Sequence, residues 1–414
     1  MHIHPRPSSR SEFEIAIICA LAVEVDAVSY VFDEFWDDDG DPYSRAPGDF
    51  NHYTTGRIEH HNVVLALLPH MGKASTASAA ASLRSSYTNV RLALVVGVCG
   101  AVPHSGKGDV LLGDVIISTT VVQHDFGAQY TDRFIRKDTV GDNLGRPNKD
   151  VGNLLMTLVT DRGRDRMRRQ MASCLQQVQA KVAHQSGGNG RHKYVYPGAA
   201  KDRLFEPGYR HKHRGKPTCA CRDCHGDADP VCHEAHVSSC DQLGCDECRL
   251  VKRERLHTIR SGAAPQPLVH LGAAASGDMV IKSAAVRDRL AREEGIVMLE
   301  MEGAGVWEEL PCIVVKGVCD YADSHKNKAW QPYAAATAAS ASKAILERYT
   351  RTEQTTMGPQ AQARQQFPVR PHQENESRVP SYGPVFNGPI SGANVVAGTT
   401  TTGGVVNFNF GRSQ

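Results

Sequence analysis

The 414 residues carry 47 basic and 45 acidic side chains, a formal charge of +2, which is no electrostatic footprint for nucleic acid. No apolar run reaches the roughly 18–20 residues that a membrane span needs, and Glu12, Glu14 and Glu24 break the apolar stretch that a signal peptide would keep intact. The expectation is a cytoplasmic protein with room for one domain of about 250–300 residues plus tails.

Residues 1–12 are polar and expected to be disordered. Residues 14–19 (EIAIIC) read as a short buried strand, followed by a turn and a helix that begins near Glu24. Residues 52–58 and 62–68 alternate as a hairpin, and Gly72-Lys73 opens a small-residue helix over 74–83. Residues 92–96 form a second buried strand, ending in Gly97-Val98-Cys99-Gly100-Ala101-Val102. Gly97 and Gly100 allow close backbone approach to a ligand. Residues 109–120 read as a strand pair around Gly113-Asp114, 123–130 as an edge loop, and 149–184 as helical, with a charged, solvated stretch over 161–169.

Residues 187–255 form an insertion. Seven of the twelve cysteines crowd into it, among His225, His233 and His236. Two Cys-x2-Cys pairs about twenty residues apart suit a tetrahedral ion, which needs four ligands brought in from two turns. Cys221, Cys224, Cys245 and Cys248 are the expected set for a structural zinc. Disulfides, disfavoured in a reducing compartment, and merely clustered thiols are the alternatives. Cys19, Cys99, Cys312 and Cys319 fall in apolar strands and pack as small hydrophobes.

Residues 269–274 are a further strand, followed by Ser276-Gly277-Asp278-Met279-Val280-Ile281. The apolar run 296–299 ends at Glu300-Met301-Glu302, where Gly303 and Gly305 let a helix start close to the strand end. Pro311 stops that helix, and 312–318 is nearly all apolar before Asp320 and Asp323. Continuous apolar strands separated by helices indicate a sheet buried on both faces, and ligands bind where such strands end. Carboxylates therefore stand twice where chemistry is expected. An alanine-rich amphipathic helix over 333–349 closes the domain. Residues 351–380 read as a disordered linker. Residues 381–414 hold two uncharged, β-prone segments of the kind that stack into cross-β assemblies.

Glu300-Met301-Glu302, with Asp320 at the end of the next strand, resembles the purine nucleoside phosphorylase and nucleosidase superfamily over roughly residues 13–349. The resemblance implies an α/β, three-layer domain over 13–350 with a central mixed sheet. The implied reaction is cleavage between a purine N9 and the ribose C1′, with no catalytic cofactor. Asp320 would protonate purine N7, Glu302 would bind the ribose 2′- and 3′-hydroxyls beside Glu300, and Met301 would pack on the sugar. The segment IICALAVEVDAV resembles the nucleosidase branch, which makes Glu24 the base that orients water. Cys99, Gly100, Val280 and Ile281 would neighbour the purine. Val280 stands where relatives often stack an aromatic, leaving that task to Phe126 or Tyr321. The family's phosphate-binding serine and arginine fall on Val98 and Val95, which favours water over phosphate.

The expected function is thus a purine nucleoside or nucleotide N-glycosidase, ATP included, working as a homo-oligomer. A phosphate-dependent phosphorylase and a non-catalytic assembly scaffold are the alternatives, and helix capping is the alternative role for Glu302. The tail resembles the sigma-type prion-like motifs on effectors of fungal NOD-like receptors. That implies a receptor partner with a matching motif and a role in cell death or immunity.

Overall fold

In the computed structural model, residues 5–105, 108–185, 193–216, 218–224, 226 and 229–350 are described. The linker and tail expected over 351–414 lie outside them. Nine strands make the central sheet: β1 (Ile15–Cys19), β2 (Glu34–Phe35), β3 (Tyr53–Ile58), β4 (His61–Leu67), β5 (Leu92–Ala101), β6 (Val115–Gln123), β7 (Val269–Ser276), β8 (Ile296–Glu300) and β9 (Cys312–Asp320). Their order is β8-β7-β6-β9-β5-β1-β4-β3-β2. Every residue of β1 and β9 is buried, as expected of the apolar run in β1 and of a β9 that is apolar but for Lys316 and Asp320.

The sheet is mixed. β1 lies parallel to β4 and β5, and β5 parallel to β9. β6 meets β9 antiparallel, and β7 runs parallel to both β6 and β8. β8 then pairs antiparallel with the end of β5, so five strands close on themselves. Closure sets the site. Gly100 is the register partner of both Leu299 and Asp320, which draws the ends of β5, β8 and β9 to one point.

The helices named below are α1 (Ala22–Ser29), α2 (Lys73–Ser86), α3 (Lys149–Val159), α4 (Asp161–Gln185), α5 (Ala284–Glu294), α6 (Gly303–Trp307) and α7 (Gln331–Leu346). Strand alternation sorts them onto two faces. A Cβ at Gly317 of β9 would collide with Ala334 of α7, so α7 lies on that face. Val314, on the opposite face, meets Gly303 at the start of α6.

Four elements differ from expectation. α7 is not amphipathic: every residue from Tyr333 to Leu346 is buried. It packs against β5, β9, α1 and α4, and alanine and serine are small enough to allow this on all sides. Residues 109–120 are not a hairpin. Gly108–Asp109 pairs with His104–Ser105, and β6 is one long strand. The edge loop 123–130 contains Gly127–Gln129, which forms a small hairpin with Phe134–Arg136. Residues 5–12 are not a loose lead-in: Pro7 is buried, its carbonyl accepts from Tyr43 at 3.1 Å, and Arg10–Glu12 makes a turn of helix. No described helix is long and apolar enough to cross a membrane.

Candidate active site

A cleft of about 440 Å³ opens at the joined strand ends, within the size range of small-molecule sites. Ala20, Leu21 and Glu24 come to it from the β1–α1 turn, Val98 to Gly100 from β5, and Leu299 to Glu302 from the end of β8. Met279 to Lys282, which follow β7, supply another wall.

Glu24 sits in the first turn of α1, where carboxylates are favoured by the helix dipole, and is 2% exposed. Its Oε2 accepts from the N–H groups of Ala20 and Leu21 at 3.0 and 2.9 Å, and its Oε1 accepts from Val98 at 2.8 Å. A carboxylate offers about four acceptor positions, so room remains for a water. Burial and the Glu302 charge push Glu24 above the ordinary carboxylate range, against the pull of Lys316. A raised carboxylate suits a general base near neutral pH.

Lys316 is the residue the sequence reading missed. It lies inside the apolar run of β9, 1% exposed, with Nζ 2.8 Å from Glu302 Oε2 and 3.9 Å from Glu300 Oε2. Burial works against its charge, but Glu302, Glu24 and Glu300 more than offset this and hold the ammonium above its usual value. A buried cation needs such partners.

The two glutamates of the Glu-Met-Glu turn divide the labour. Glu302 does not cap α6: its side chain makes no cap bond and faces Lys316 instead. Glu300 holds the turn, accepting from the N–H groups of Glu302 at 2.9 Å and Gly303 at 2.9 and 3.1 Å. Its two carboxyl oxygens are thus turned to backbone, although the residue still borders the cleft.

Asp320 is 5% exposed and lines not this cleft but an adjoining cavity of about 300 Å³, which shares Cys319, Lys326 and Asn327 with it. Its Oδ1 accepts from Ala322 N at 2.9 Å, and its Oδ2 lies 2.9 Å from Lys326 Nζ. The turn holds Ala322 at φ 51, a left-handed conformation that costs a non-glycine residue roughly 1–3 kcal/mol and clusters at functional sites. The apolar strand alone gave no hint of Lys326.

Cys99, Gly100, Met301, Val280 and Ile281 all line the cleft, as expected. Burial pushes the Cys99 thiol up, which leaves it a neutral wall. Neither aromatic proposed for stacking is there. Tyr321 is buried against Asp202, its hydroxyl 2.8 Å from Oδ1, and Phe126 lies under the Lys137 ammonium. The described lining contains no aromatic. Met71, Met279, Met301, Val280, Ile281 and Leu299 give an aliphatic and thioether surface in its place.

In the insertion the structure assembles ligands that differ from the expected zinc set. His213, Cys219, Cys221 and Cys232 bring their ligand atoms within 4.8 Å of one another. His213 Nδ1 lies 3.6, 4.0 and 3.4 Å from the three sulfurs. Bonds of about 2.0–2.3 Å at tetrahedral angles separate ligands by roughly 3.5–3.8 Å, so the group fits a zinc ion. Burial opposes ionisation of the Cys221 thiol, yet the Cys232 N–H on its sulfur and the His213 imidazole bring it down to about 6. Cys245 falls in a different group, with His211 and His325, while Cys224 and Cys248 belong to neither. The Cys-x2-Cys spacing misled because histidines outside it complete both groups.

Residues 14–179 match the Phosphorylase superfamily. A nucleotide-binding leucine-rich repeat (NLR)-like protein of Hyaloscypha variabilis is 32% identical over 349 residues, 82% of this chain. The chain spans 30% of that relative's length. Among solved structures, the 5′-methylthioadenosine/S-adenosyl homocysteine nucleosidase of Helicobacter pylori is 16% identical, with a TM-score of 0.45 and coverage of 82% of this chain and 99% of that one. The futalosine hydrolase of Helicobacter pylori is 16% identical with a TM-score of 0.45, covering 81% of this chain and 98% of that one. The matched stretch contains Glu24 and the β5 turn, while Glu300, Glu302, Lys316 and Asp320 lie beyond it.

Proposed function

We propose that the protein hydrolyses the bond between a purine and ribose, with water as the nucleophile and Glu24 as its base. The observation that carries this reading is the seat of Glu24: a buried carboxylate, fixed by three backbone N–H groups, beside a strand end where Val95 and Val98 carry no anion-binding side chain. The described lining of the cleft contains no arginine, serine or threonine, and its lysines, Lys282, Lys326 and Lys328, come from the segments after β7 and β9, not from the β5 turn.

In this mechanism water adds to C1′ as the C1′–N9 bond breaks. Glu24 orients the water and takes its proton, and Asp320, from the adjoining cavity that shares Cys319, Lys326 and Asn327 with the cleft, delivers a proton to N7 so that the base leaves neutral. The arrangement parallels inverting glycosidases, with one acid and one base serving the two sides of the sugar. Glu302, held by Lys316, accepts hydrogen bonds from the ribose hydroxyls, and Met301 packs on the sugar. Lys282, Lys326 and Lys328 also line the cleft. Three ammonium groups suit a phosphorylated substrate, which extends the reading from nucleosides to nucleotides such as ATP. Chromatography of the products from adenosine, AMP and ATP, each with and without phosphate, tests it.

The name of the Hyaloscypha relative and the composition of residues 381–414 support a role as a cytoplasmic effector of cell death or immunity. In this role a receptor bearing a matching motif templates a cross-β stack of tails, and the crowded domains work as a homo-oligomer. A peptide of residues 379–414 should then form fibrils with a meridional spacing of about 4.7 Å. A peptide that stays monomeric even when seeded removes the assembly step and leaves the hydrolase.

A further inference from the structure

We propose that a second zinc-class ion binds at His211, Cys245 and His325, with Cys240 as fourth ligand, and that it ties the insertion to the loop after Asp320. Ligand atoms of His211, Cys245 and His325 lie within 4.8 Å of one another. The Sγ atoms of Cys245 and Cys240 are 3.5 and 3.8 Å from His211 Nδ1, the separations that a tetrahedral N/S site requires.

Both histidines are prepared for a metal. His211 Nε2 lies 2.9 Å from the Ser238 carbonyl, to which it can only donate. Its proton is thereby placed on Nε2, and the Nδ1 lone pair points at the two thiols. This is the outer hydrogen bond that metal-bound imidazoles characteristically make. His325 is 6% exposed, and its Nε2 has no hydrogen-bond partner among the described residues. Buried polar atoms are nearly always satisfied, so an orphan beside a thiol asks for a ligand. The bland explanation is that His325 merely packs. Its ring does stack on Phe205 at 4.1 Å and lies parallel to Tyr209 at 5.8 Å. Stacking fixes the ring plane but leaves the nitrogen unexplained. Two thiolates and two imidazoles form a neutral site with a divalent ion, and this ligand set favours zinc over calcium or magnesium.

The location gives the site a consequence. His211, Cys240 and Cys245 belong to the insertion, whereas His325 follows β9 directly. The same loop is pinned by His325 N to Asp323 Oδ1 at 2.9 Å and by His211 N to Ser324 Oγ at 3.1 Å. Lys326, the next residue, pairs with Asp320. His211, Cys240 and His325 line the same cavity of about 300 Å³ as Asp320 and Lys326. An ion here fixes the backbone that presents Lys326 to Asp320.

The test uses the full chain, purified without added metal. Zinc per chain should fall by one equivalent in His325→Gln and in Cys245→Ser. Cys221→Ser should remove a separate equivalent, and Cys221→Ser with Cys245→Ser should remove both. Should a variant not fold, the wild-type chain stripped and titrated with cobalt(II) reports the same site, through thiolate-to-metal absorption that grows into a second equivalent. Chelation, like His325→Gln, should open trypsin cleavage at Lys326 and Lys328. Unchanged zinc in both His325→Gln and Cys245→Ser, or saturation by one cobalt, overturns the site. Equal trypsin resistance with and without metal overturns the tie to the loop. None of these measurements depends on the proposed hydrolysis.

Discussion

The Glu24 carboxylate occupies the space that a Cβ at Gly97 would need, while Val98, the next residue, donates its N–H to the same carboxylate at 2.8 Å. Glycine at 97 is therefore part of the seat of the base. Gly97→Ala should displace Glu24 and lower base release by about 10²-fold, the scale of a lost general base. Circular dichroism should show the fold intact. Full activity in a folded Gly97→Ala protein would mean that Glu24 does not act from this seat.

Glu24 works as a base only when ionised, and its folded value is raised, so the rate should fall as pH drops through a point above the ordinary glutamate value of about 4.3. Lys316 pulls that value down. Lys316→Met should therefore move the acid limb of the pH–rate profile to higher pH. It should also cost about 3–5 kcal/mol in urea unfolding at neutral pH, because Glu302 loses its buried cation. Lys316→Arg should recover most of the stability. An unmoved acid limb in a folded Lys316→Met protein would separate Lys316 from the base.

Ligand swaps in the insertion distinguish the geometric metal group from the one suggested by spacing. Cys232→Ser should lose one equivalent of zinc, and Cys248→Ser, exposed and outside both groups, should lose none. The reverse result would restore the Cys-x2-Cys set.

Much of the fold was legible because strands buried on both faces are written as nearly continuous apolar runs, as in β1, β5 and β9. The Glu-Met-Glu turn was legible too, because it interrupts such a run. Lys316 was not, since its charge is matched by Glu302 from the turn after β8 and only the fold shows that pairing. α7 misled for the opposite reason: small side chains bury on every side without the continuous apolar stripe that a larger core helix shows. The metal groups were half visible. Thiols cluster in sequence, but His211, His213 and His325 join them only in space.

The central claim, hydrolysis at the purine–ribose bond, is tested most directly by identifying the sugar product. Wild-type protein and Asp320→Asn should be incubated with adenosine, AMP and ATP, with and without inorganic phosphate, and the products separated by chromatography. The expected products are adenine plus a sugar with a free C1′ hydroxyl, carrying only the substrate's own phosphates and formed equally with or without added phosphate. Folded Asp320→Asn should lose at least about 10²-fold, the scale of losing a general acid. Ribose 1-phosphate formed only when phosphate is added, or no base release from any of the three, would contradict the claim.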